Sequence, residues 1–148
     1  MLLYKNGRFY VDKLSFALPD NVYIQTDDAP TYYASGLEMK SADEKINMSV
    51  YADLEKHASK EYIDDLLSNP IFIRKSETKQ ISVGGLVGHY AYYESGAHSH
   101  CEYRFDAEPT EHCNGITILI YVDKNVDIVE ITQGELIQQL IQGVRAES

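Results

Sequence analysis

Ile81-Ser82-Val83-Gly84-Gly85-Leu86-Val87-Gly88-His89-Tyr90-Ala91-Tyr92-Tyr93 is the stretch that decides the fold class. Gly84-Gly85 can take φ > 0 at both central positions, which a two-residue hairpin needs if its turn is to match the twist of its arms. The arms therefore read as antiparallel strands, the second continuing to Tyr93. Toward the C-terminus, Cys101, Tyr103, Phe105 and Ala107 alternate with Glu102, Arg104 and Asp106, and Ile116, Ile118, Ile120 and Val122 alternate with Thr117, Leu119 and Tyr121. A period of two puts each set on one face of a strand. The loop from Glu108 to Gly115 makes these two strands antiparallel neighbours.

Toward the N-terminus, Phe9, Val11, Leu14, Phe16 and Leu18 alternate with polar residues around Asp12-Lys13, an opening hairpin that ends in the turn chemistry of Pro19-Asp20-Asn21. Short strands follow at Val22 to Gln25, Leu37 to Lys40 and Ile46 to Ala52, with a loop at Asp27-Asp28-Ala29-Pro30. The period changes to 3.6 twice. From Ser59, residues Tyr62, Ile63, Leu66 and Leu67 share one stripe, and Asn69-Pro70 stops the helix because proline pushes the residue before it out of the α region. Near the C-terminus Thr132 and Glu135 have capping-box spacing, followed by the stripe Leu136, Ile137, Leu140, Ile141 and Val144. Runs of strands between helices, without βαβ alternation, predict an α+β fold: a mostly antiparallel sheet of about six to seven strands covered by two helices.

The 148 residues suit a single globular domain, 1–148, and 44% hydrophobic with 24% charged residues is a folded composition. Net charge is −10, and residues 91–148 hold 3 basic against 10 acidic side chains. With no basic run to set against phosphates or an anionic leaflet, nucleic acid and membrane are excluded as default partners, and a basic protein surface is favoured. A homodimer is compatible with the same surface. No apolar run reaches the length of a membrane span, and Met1 to Lys5 leads straight into a strand-like segment without the apolar core of a signal peptide. Cys101 and Cys113 allow at most one disulfide. A reducing, cytoplasmic location is the expectation.

The order of these elements, with Phe16-Ala17-Leu18-Pro19 in the opening hairpin and Val83-Gly84-Gly85 in the long one, resembles the PsbP/Mog-like fold. That resemblance implies an α/β/α sandwich used for protein contacts rather than catalysis. The absence of tryptophan argues against the Eag-type branch of that group.

Chemistry-bearing motifs are sparse. His98, His100 and Cys101 lie at the start of a strand, and His112 and Cys113 follow it, so about 20 Å of extended chain separates the two clusters and one zinc ion cannot join them. His98 and His100 alone remain an alternative metal pair. Asp123 to Asp127 begins like a calcium loop but has Ile128 where the sharp turn needs glycine and Gly134 where a bidentate glutamate belongs. Gly84 to Gly88 is followed by β residues rather than a helix, which excludes a phosphate loop. No cofactor is implied. Twelve tyrosines make Tyr90, Tyr92 and Tyr93 candidates for an interaction surface, with Asp123 and Asp127 supplying charge. Two functions follow: a non-catalytic protein-binding or assembly module, or a small hydrolase or metal-dependent enzyme built on His98, His100 and Cys101.

Overall fold

The computed structural model describes residues 3–25, 35–55, 58–111 and 113–147. Two antiparallel sheets and three helices make up the described chain. β1 (Leu3–Lys5), β2 (Arg8–Val11), β3 (Leu14–Ala17) and β12 (Arg145–Ala146) form the smaller sheet in that order. The larger is eight-stranded: β4 (Val22–Gln25), β5 (Ser35–Ser41), β6 (Asn47–Asp53), β11 (Gly115–Asp123), β10 (His98–Asp106) and β9 (Leu86–Ser95). Its far edge is shared by β7 (Ile73–Arg74) and β8 (Lys79–Val83), both paired to β9. The α+β class and the antiparallel pairing agree with the sequence. The single sheet of six to seven strands does not, because the opening hairpin leaves the main sheet to join β12. The Asp27 to Pro30 loop lies outside the described residues.

Register follows the apolar pattern. Cys101 faces Ile120, Tyr103 faces Ile118 and Phe105 faces Ile116 across β10 and β11, and none of these side chains is more than 3% exposed. The β8–β9 turn has φ of 57° at Gly84 and 83° at Gly85. A Cβ on Gly84 would also sit 2.2 Å from the Val144 carbonyl oxygen, so glycine is required there for space as well as conformation.

α1 (Ser59–Leu67) lies on one face of the large sheet, while α2 (Ile128–Gln133), α3 (Glu135–Gln142) and the small sheet close the other. The C-terminal helix expected from a Thr132–Glu135 capping box is thus two helices. Thr132 is inside α2 and buried, its hydroxyl donating to the Val129 carbonyl and bonded to the Tyr92 hydroxyl at 2.7 Å. Gly134, extended at φ −75° and ψ 166°, separates α2 from α3. Asp127 is the working N-cap, accepting from the Val129 and Glu130 amides. This role explains why Asp123 to Asp127 does not continue as a calcium loop. The stripe holds: Ile137, Leu140, Ile141 and Val144 are fully buried, and only Leu136 is half-exposed.

Candidate functional site

β10 has two faces of opposite character. Cys101, Tyr103 and Phe105 point into the main core, whereas His98, His100, Glu102, Arg104 and Asp106 form a row of ionisable groups on the other face. Such a row on a central strand must find partners or lose several kcal/mol of solvation. The neighbouring strands and α1 supply them.

Arg104 is fully buried. Its Nη1 donates to Asp53 of β6 at 2.8 Å and to Thr117 of β11 at 3.0 Å, and its Nη2 reaches the Glu55 carbonyl at 3.2 Å. The Tyr62 ring of α1 lies 4.6 Å from its Cζ, a cation–π contact. Its Nε has no partner among the described residues. Glu102 accepts from the Tyr93 hydroxyl at 2.7 Å and is hydrogen-bonded to Tyr62; burial nevertheless pushes its carboxyl above the ordinary range.

At the end of the row, Ser59 of α1 contacts Asp106 and His89. Its hydroxyl lies 2.9 Å from Asp106 Oδ2 and 2.6 Å from His89 Nδ1, and its amide donates to Asp106 Oδ1 at 2.8 Å. A carboxylate only accepts, so the serine proton goes to Asp106 and the His89 Nδ1–H donates to the serine oxygen. In a hydrolytic triad the histidine stands between serine and acid. Here the serine is in the middle and fully buried, so the trio anchors the start of α1. Its members are 30 and 47 residues apart in sequence, and no local motif joins them.

His98 and His100 lie beyond the helix. His100 stacks on Tyr93 with centroids 4.7 Å apart and planes 2° from parallel, and on Tyr121 at 5.5 Å. His98 meets Tyr121 edge-on at 5.2 Å and lies 6.1 Å from His100. Burial and the neighbouring His98 lower the His100 pKa to about 4, so its ring is neutral at physiological pH. Among the described residues no group of three or more His, Cys, Asp or Glu side chains is placed to hold a metal ion. Cys101 points to the opposite face, where burial pushes its thiol up to about 12, so it shares no site with the two histidines. Cys113 is buried and free, its thiol donating to the Gly115 carbonyl, and His112 lies outside the described residues.

Of the tyrosines singled out as contact residues, Tyr92 is 7% exposed and bonded to Thr132, and Tyr93 is 4% exposed beneath α1. Tyr90 is half-buried, stacked on Tyr103 at 5.1 Å. As surface anchors Tyr92 and Tyr93 are corrected: both faces of the strand are covered, so its alternation leaves neither outside. Asp123 and Asp127 are exposed.

The feature missed from sequence is a cleft of about 410 Å³ between the β3–β4 connection, the β5–β6 turn and α3. Asp20, Asp43 and Glu135 bring exposed carboxylates to it, and half-buried Ile46 and Leu136 supply apolar wall. The Ser41 hydroxyl and Lys45 amide donate to Asp43 and lower its pKa, keeping it ionised. These residues come from three separated segments, and only the pairing of β4 with β5 and the docking of α3 bring them together.

The fold defines an α+β protein of mostly antiparallel sheet with helices packed on it. No family model matches the chain, and no curated protein does. Among solved structures it is similar to LpqN of Mycobacterium tuberculosis, described as involved in cell envelope biogenesis, at 10% identity and a TM-score of 0.56, over 91% of this chain and 83% of LpqN. It is also similar to a protein of Bacteroides thetaiotaomicron at 11% identity and a TM-score of 0.52, over 92% of this chain; it spans 46% of that protein's length. At such identities the likeness is one of fold alone.

Proposed function

We propose that the chain is a non-catalytic protein-binding or assembly module of PsbP/Mog-like kind, and that it takes a basic segment of its partner in the cleft beside α3. The observation that carries this reading is the combination of three exposed carboxylates with an apolar wall in one cleft. A lysine or arginine side chain has both parts of the complement, a charged head and an aliphatic stem. The burial of Cys101 away from the histidines and of Ser59 within α1 supports a non-catalytic role. The free buried thiols support a reducing compartment, and we propose the cytoplasm.

A Lys/Arg-rich peptide titrated into the protein tests the reading. Affinity should fall as salt rises, and Asp20→Lys with Glu135→Gln should weaken binding about tenfold or more while leaving the melting temperature nearly unchanged. Salt-insensitive binding, or full affinity in the double variant, would remove the cleft as the site.

A further inference from the structure

Helix α1 is attached to the molecule unlike α2 and α3. Those two contribute Ile128, Ile137, Leu140 and Ile141 to the main core. On the other side of the sheet, α1 has a small apolar cluster of its own, in which Ile63 and Leu67 meet Ala91 and Tyr93, and it shares no buried residue with the main core. The start of the helix, by contrast, lies over the ionisable row. Ser59 and Tyr62 carry its contacts to that row, and Asp64 ties it sideways to Arg74 and Thr78.

We propose that α1 is a cover that leaves the sheet without unfolding the main core, and that ionisation of Glu102 beneath it drives the departure. The Glu102 carboxyl faces the hydroxyls of Tyr93 on β9 and Tyr62 on α1, the Arg104 guanidinium on its own strand and Asp53 on β6. His100, the preceding member of the row, is neutral against Tyr93. The hydroxyls and Arg104 favour the carboxylate, Asp53 opposes it, and burial outweighs them, so in the closed state the carboxyl keeps its proton to higher pH than a free one does. Lifting α1 admits water and restores an ordinary carboxyl. Between the open-state and closed-state carboxyl pKa values the closed state therefore binds more proton than the open state, and there opening grows with pH by up to about tenfold per unit. The Asp64 carboxyl, held near 2 by Lys60, Thr78 and Arg74, stays charged throughout and does not contribute. Opening presents Ile63 and Leu67 as an apolar helix face, so the device controls a second surface independent of the acidic cleft.

Amide hydrogen exchange resolved by residue, corrected for intrinsic rates and run from pH 5.5 to 8, tests this on the whole chain. Amides of 62–67 should open more readily than those of β10 and β11, and their opening should rise at least threefold across the range. In Glu102→Gln that rise should vanish while the β10 amides stay protected; in His89→Gln it should persist. Should Glu102→Gln not fold, Tyr62→Phe should raise α1 opening selectively and keep its pH slope. Uniform opening of α1 with β10 would overturn the proposal, as would a pH response that survives in Glu102→Gln or is lost in His89→Gln.

Discussion

Arg104 occupies a site made by what its neighbours lack. The guanidinium lies against Gly115, where a Cβ would come within 2.4 Å of Nη2, with Asp53 at one end and the Tyr62 ring nearby. Gly115→Ala should therefore cost about 1–3 kcal/mol as overpacking of a rigid site, read from the urea midpoint. Truncation of the cation is worse: Arg104→Ala leaves Asp53 buried without its counter-charge, and a loss of about 3–5 kcal/mol is expected. His100 adds a pH dependence of known sign. Its folded pKa near 4 is below the ordinary 6.5, so its contribution is fully present above 6.5 and lost as pH falls toward 4. Between those values His100→Gln should lose less stability than the parent in denaturant titrations; equal slopes would show that the ring is solvated.

At the scale of elements, the side chain that decides an element is the one whose burial differs from its neighbours'. Leu140 is fully buried and Leu136 is half-exposed on the same helix, so Leu140→Ala should cost about 2–5 kcal/mol and Leu136→Ala clearly less. Asp127→Ala should cost about 0.5–2 kcal/mol as a lost N-cap. Most elements were legible because period and turn chemistry are local: the β2–β3 hairpin around Asp12-Lys13, the Gly84-Gly85 turn, and α1 with its stop before Pro70 all lie where the pattern puts them. The start of the C-terminal helical region was not. Ile128-Val129-Glu130-Ile131 carries strand-like residues, and tertiary burial of Ile128 with capping by Asp127 overrode that propensity. Partners of the polar row were also hidden, since Glu102 and Arg104 read only as the polar side of a two-faced strand. Only the docking of α1 makes that side an interior.

Across the whole molecule, the −10 charge is not a uniform acidic field. Within the acidic C-terminal segment Glu102 is buried, Asp106 holds Ser59, Glu94 lies near Lys75 and Lys124, and Glu147 pairs with Arg145. Asp123, Asp127, Glu130 and Glu135 remain exposed around α2 and the start of α3, and with Asp20 and Asp43 they make that side acidic. The eight-stranded sheet separates this acidic side and the main core from the α1 side, and that separation has a measurable energetic consequence. Ile63 and Leu140 are both fully buried but belong to clusters on opposite faces with no residue in common. Substitutions that share no partners add to within about 0.3–0.5 kcal/mol. Ile63→Ala and Leu140→Ala should each lower stability, and the double variant should lose their sum. A coupling energy above about 1 kcal/mol in that cycle would mean that the sheet transmits strain from one face to the other.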